Sequence, residues 1–201
     1  MFDFSDSQLP VRPDIGLAIK REFQFLASPG GSLSGTERAS LAEAARSAGS
    51  SDPLEQFAAH LYSSPATVDE EVVRGVADLI GDPAVVEAIG IVARLSCIDR
   101  FCQVIGVGLF PLPEPVTAPP TGDITQGLKR RRAHVLMPPG PIPVALDLVP
   151  AEGRALRALF GPFYMTEQQM ADPSFARHPG LDTAQLETVA ARVSLLNKCF
   201  Y

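Results

Sequence analysis

Proline divides this chain before any other residue type is considered. Pro111, Pro113, Pro115, Pro119 and Pro120 crowd one stretch, and Pro138, Pro139, Pro141 and Pro143 follow close behind. Proline has no amide hydrogen to donate and its ring clashes with the preceding helical turn, so these stretches cannot be helical. They read as an extended connector with helical territory on either side.

On the N-terminal side, helix starts recur. Ser34 with Glu37, Asp52 with Glu55, and Thr67 with Glu70 all have the spacing at which a side-chain oxygen caps a helix and an acid three residues on reaches back. Asp52-Pro53 and Asp82-Pro83 add proline at the first helical position, where the missing amide hydrogen costs nothing. After Asp82 the longest helix is expected, with Ile91, Leu95, Ile98, Cys102 and Ile105 on one stripe and a stop near Gly106 and Gly108. No stretch between Leu33 and Gly106 alternates apolar and polar residues, so the predicted class is all-α. A further helical region begins near Val149, runs through Glu152 to Phe163 and restarts after Asp182.

At 201 residues, the chain has room for one ordinary domain or two small ones. Its 46% hydrophobic and 20% charged residues are those of a globular protein. No apolar run has bilayer length, and the start, Met1 to Asp6, has neither the basic residues nor the apolar stretch of a signal peptide. The expectation is a soluble, cytoplasmic protein. A net charge of -6 repels phosphate backbones and anionic lipid, which argues against nucleic acid and membrane partners. The basic cluster Lys129 to Arg132, between proline-rich segments, reads as a solvated linker with docking as the minority use. Three cysteines are too few and too unevenly placed for a secreted disulfide scaffold.

Sliding the chain against itself by 148 positions lays Leu33-Ser34-Gly35-Thr36-Glu37 over Leu181-Asp182-Thr183-Ala184-Gln185. Each begins with leucine, then a capping residue, then an amphipathic helix; the second carries Leu186, Val189, Ala190, Val193 and Leu196 on its stripe. Two copies of one helical unit, or two unrelated amphipathic helices, produce this echo. The division it implies is a first lobe at 1–110, a proline-rich linker at 111–148 and the start of a second lobe at 149–201.

Residues 181–201, LDTAQLETVAARVSLLNKCFY, resemble the entry to the active site of the alkylhydroperoxidase D-like and carboxymuconolactone decarboxylase-like superfamily. Its peroxidase branch carries a glutamate, eleven residues, then a C-x-x-C pair and a histidine; Glu187 and Cys199 have that spacing. The resemblance implies that Glu187 relays protons and that Cys199 is the resolving thiol. The attacking cysteine and the histidine fall past Tyr201, so the motif is half present and the chain is expected to be inactive by itself. The resemblance further implies thiol-dependent peroxide reduction, with a hydroperoxide substrate, a thiol reductant, no metal or organic cofactor, and homo-oligomerisation. On one continuous helix, Glu187 and Cys199 stand ~18 Å apart, so the chain must turn at the cysteines and send a helix back.

Carried back by the same offset, the site positions become Ala39, Ser51, Leu54 and Ala58, none of which can perform this chemistry. The first lobe, similar to the family downstream of its site, is therefore degenerate. Cys97 and Cys102 point about 140° apart on one helix and read as packing residues. His60, His134 and His178 have no cysteine or carboxylate at ligand spacing. Two rivals stand beside the peroxidase: a non-catalytic helical scaffold of the same fold, with Val189, Val193 and Leu196 needing cover, and a decarboxylase or isomerase that uses no cysteine.

Overall fold

Eight α-helices and two two-residue strands form among the residues that the computed structural model describes, 4–172, 174–175 and 180–196; the chain is all-α. No described helix is long and apolar enough to cross a membrane.

The longest helix, α5 (Asp82–Val104), is the axis of the first compact unit. Its expected stripe is buried throughout: Ile91, Leu95, Ile98 and Cys102 are fully enclosed and Ile105 nearly so. Val85, Val86 and Ala88 are buried too, so α5 is covered on more than one side. Around it pack α1 (Pro13–Phe25), α2 (Gly35–Ser47), α3 (Pro53–Ser63), α4 (Glu70–Ile80) and α6 (Pro150–Phe160).

Local chemistry explains most of these starts. Ser34 accepts from the Glu37 amide while the Glu37 carboxylate takes the Ser34 amide at 2.7 Å, a complete capping box. Asp52 accepts from Leu54 and Glu55 at the head of α3, but its own amide donates to Ser50 Oγ at 3.1 Å rather than to Glu55, so the expected box is half formed. The expected cap at Thr67 is displaced: Asp69 caps α4 by accepting from Val72, and Thr67 lies in a 3-10 turn, Pro65–Thr67, where its hydroxyl meets His60 Nε2 at 2.6 Å. An aspartate one residue before Glu70 is the better acceptor for the orphan amides, so it takes the role. The cap-and-stripe reading does not contain α1, whose N-cap is Arg12 with no side-chain hydrogen bond.

The first unit reaches Phe160, so the boundaries expected after 110 and 148 give way to one after 160. The first proline-rich stretch, through Thr121, is extended as expected, but the second is not so throughout, since Pro143 stands in the first turn of a 3-10 helix, where proline's missing amide hydrogen costs nothing. The extended stretch is also tied back by backbone hydrogen bonds. Val116 donates to the Ala27 carbonyl, Thr121 and Gly122 to Gly30 and Gly31, and Thr125 to Leu148, all at 2.8–2.9 Å. Proline removes the donors that a helix needs and leaves the intervening amides free for such bonds. Beyond it, β1 (Lys129–Arg130) pairs antiparallel with β2 (Leu136–Met137), and a 3-10 segment, Ile142–Leu148, leads into α6.

The second unit, Gly161 onward, holds a short 3-10 turn Gly161–Phe163, α7 (Glu167–Ala171) and α8 (Thr183–Leu196). Thr166 with Gln169 caps α7, and Asp182 with Gln185 caps α8, each through the same reciprocal pair of bonds as Ser34 with Glu37.

Candidate functional site

Glu187 lies on α8, in the helix that the sequence predicts over this stretch, and it is exposed. Cys199 and His178 lie outside the described residues. The apolar stripe of α8 is open: Val189 is 60% exposed, Val193 50% and Leu196 65%. The structure places Glu187 on a helix, five residues into α8.

In the corresponding region of the first unit, a helix of this kind is succeeded by a returning one. After α2 the chain turns through Ala48 (φ 54°) and Gly49 (φ 106°), and α3 returns to pack on α2 more extensively than any other pair of helices. Leu54 and Ala58, aligned with the attacking cysteine and the histidine, are both buried on α3. The Leu54 amide at the head of α3 is held by Asp52 Oδ1 at 2.9 Å. Ala39 is partly covered and Ser51 exposed, so the four positions that the 148-residue offset picks out fall on α2, the turn after it and α3.

The other cysteines have no redox geometry. Cys97 and Cys102 are free thiols on α5, and burial pushes both up to about 11, well above the usual thiol range, so neither is a nucleophile near neutrality. His60 is committed to Thr67.

What the structure brings together, from helices that the sequence pattern does not link, is a buried quartet of charge. Arg38 on α2, Glu87 and Arg94 on α5, and Glu152 on α6 are all fully enclosed. Arg38 Nη1 donates to Glu87 Oε2 at 2.6 Å and to Glu152 Oε1 at 2.7 Å, and Arg94 Nη2 donates to Glu152 Oε2. Glu87 Oε1 also accepts from the Ser32 amide (2.5 Å), the Ser32 hydroxyl (2.8 Å) and the Leu33 amide (3.3 Å). Both guanidinium carbons lie near the Phe25 ring, 5.0 and 5.1 Å from its centroid. Desolvation lowers the Arg94 pKa, with the Glu152 charge opposing it.

Two glycines make room for these carboxylates. A Cβ at Gly30 would overlap Glu87, and one at Gly90 would overlap Glu152. Glu22 of α1, 4% exposed and paired with Arg21, adds a further negative charge that acts on Arg94. The quartet links α6 to α2 and α5, beside the apolar packing of Ala155 and Leu159 on the first unit.

A second polar cluster ties the helices to the connector. Asp99, 1% exposed on α5, accepts from Arg46 Nη2 (2.6 Å), Arg46 Nε (2.9 Å) and the Tyr62 hydroxyl (2.7 Å). Arg46 also donates to the Phe110 carbonyl at 2.7 Å. Desolvation, reinforced by Asp99, pushes Tyr62 up to about 12.

No protein-family model matches the chain, and no curated protein or solved structure matches it either.

Proposed function

We propose that Glu187 and Cys199 are the proton-relay carboxylate and resolving thiol of a thiol-dependent peroxide-reducing site. The observation that carries this reading is the α2–turn–α3 hairpin. The first copy of the pattern folds into the returning pair of helices that the chemistry needs, and α8 repeats the first half of it with the same cap. A thiol at the head of a returning helix would meet unpaired amides that stabilise a thiolate; at the head of α3 those of Leu54 and Glu55 are taken by Asp52 instead.

In the proposed reaction that thiolate attacks a peroxide oxygen, the O–O bond breaks, an alcohol leaves and a sulfenic acid remains. Cys199 then condenses with the sulfenic acid, water leaves, and an external thiol reduces the disulfide in two exchange steps. The attacking cysteine and the histidine are not among these 201 residues, so the chain alone is proposed to be inactive. The test is intact-mass thiol counting on the protein from its natural source, with peroxide consumption measured in dithiothreitol. More than three thiols, with turnover lost in Cys199→Ser and slowed in Glu187→Gln, supports the reading. Three thiols and no turnover sink it.

The non-catalytic scaffold is the second reading, favoured by the exposed Val189, Val193 and Leu196. Concentration-dependent self-association weakened by Val193→Asp, in a chain without peroxide turnover, supports it over the first.

A further inference from the structure

The basic cluster Lys129 to Arg132 has no part in the proposed redox site, and the structure does not leave it as a free linker. β1 and β2 close a short hairpin in which Arg130 pairs with Leu136, and Asp82, 6% exposed at the head of α5, holds both strands at that rung. Its Oδ1 accepts from Arg130 Nη2 at 2.8 Å and its Oδ2 from the Leu136 amide at 2.7 Å. Val135 and Met137 anchor the same hairpin in the core. The loop between the strands is therefore fixed in place.

Beneath that loop lies a cavity of about 320 Å³. Its walls are apolar and come from separate elements: Val73 of α4, Ile89 of α5, Val135 of the loop and Leu146 of the 3-10 segment. The polar side chains that line it are Arg132 and His134. Arg132 forms no ion pair with any described residue, whereas its neighbour Arg130 is already engaged by Asp82. His134 Nδ1 lies 3.9 Å from the exposed Glu70 carboxylate, at the outer edge of the rim.

We propose that this cavity binds a small hydrophobic monocarboxylate, its hydrocarbon part against Val73, Ile89, Val135 and Leu146 and its carboxylate on Arg132. The volume lies at the small end of the range for ligand sites, about 300–1,000 Å³, which suits a medium-length alkyl chain or a single ring. A planar guanidinium takes a carboxylate through two parallel hydrogen bonds. The chain as a whole carries a net charge of -6 and repels anions, so a basic rim over an apolar cavity selects an anion by local geometry rather than by bulk charge.

The test is calorimetric titration of the full chain with octanoate, octanol and octylamine, with no peroxide or thiol present, so that its result is separate from the redox reading. Octanoate is expected to bind saturably and to shift the methyl NMR signals of Val73, Ile89 and Val135. Octylamine, with the charge reversed, is expected not to bind. Arg132→Gln, an exposed substitution, should weaken octanoate by about ten-fold or more while leaving octanol unchanged. Ile89→Phe, which fills the cavity, should weaken both, and its folding is checked by circular dichroism. Absence of saturable octanoate binding, equal binding of octylamine, or unchanged affinity in Arg132→Gln overturns the proposal. If Ile89→Phe unfolds, the Arg132→Gln comparison and the methyl shifts still decide.

Discussion

Ser34 with Glu37 and Asp182 with Gln185 close the same reciprocal bonds, yet the helices they start meet opposite environments. Leu41 on α2 is 2% exposed, whereas Val189, its counterpart 148 positions on, is 60% exposed. Arg38 reaches into a fully buried charge network, and its counterpart Leu186 is only partly covered. A cap needs four consecutive residues and no partner, so it forms on either helix. Burial needs an opposing surface, which α3, α5 and α6 supply to α2.

The contrast is broken most severely at the charge quartet. Arg38→Met leaves Glu87 and Glu152 with one cation between them, and the expected loss is about 3–5 kcal/mol of unfolding free energy. Leu186→Met at the matching place on α8 should change it by less than about 0.5 kcal/mol. Urea denaturation of both variants measures the difference, and equal effects would refute the assigned roles.

Next in size is the core. Leu41→Ala should cost about 2–5 kcal/mol through lost burial and the cavity left behind, against less than about 0.5 kcal/mol for Val189→Ala. The caps sharpen the comparison instead of breaking it. Ser34→Ala is expected to lower global stability by about 1 kcal/mol, while Asp182→Ala should fray α8, seen as faster amide exchange at its first turn, with no change in the main transition.

The pH response tests the polar cluster around Asp99 in the same way. Tyr62 is held up to about 12 in the folded state against 10.0 for an ordinary tyrosine. Its neutral form is thus favoured by folding, and its contribution is complete below pH 10 and lost as pH climbs toward 12. Tyr62→Phe should flatten stability over that interval, read from urea midpoints. In the same way, iodoacetamide near pH 8 should leave Cys97 and Cys102 untouched in the native chain and alkylate both after unfolding; fast native labelling would contradict their raised values of about 11.

Much of the first unit is legible in sequence because its signals are local. The stripe from Ile91 to Ile105 and the caps at Ser34 and Asp52 depend on neighbours within a turn or two, and the structure reproduces them. Thr67 misleads because Asp69 competes for the same amides. The division of the chain is not legible, since proline forbids a helix but does not say whether the extended backbone stays free. Only the long-range bonds from Val116, Thr121 and Thr125 decide that. The quartet left one trace: Glu87 and Arg94 lie on the same face of α5 as Ile91, where a charge needs a buried partner. That partner, Glu152, is 58 residues beyond Arg94, and no periodicity reaches so far. At the redox candidate, spacing alone links Glu187 to Cys199, and only Glu187 falls where side chains are described.

The distance to Glu152 also has a consequence in time. As the chain leaves the ribosome from its N-terminus, Arg38, Glu87 and Arg94 emerge well before Glu152, and Arg94 stays hydrated until α6 follows. Burying three of the four leaves a charge unmatched, so Arg94 is desolvated together with Glu152. The Arg38–Glu87 pair can form before residue 152 emerges, but Arg94 has its carboxylate only afterwards, so a nascent chain halted before residue 152 is expected to be cut by proteases faster than one halted after Phe160.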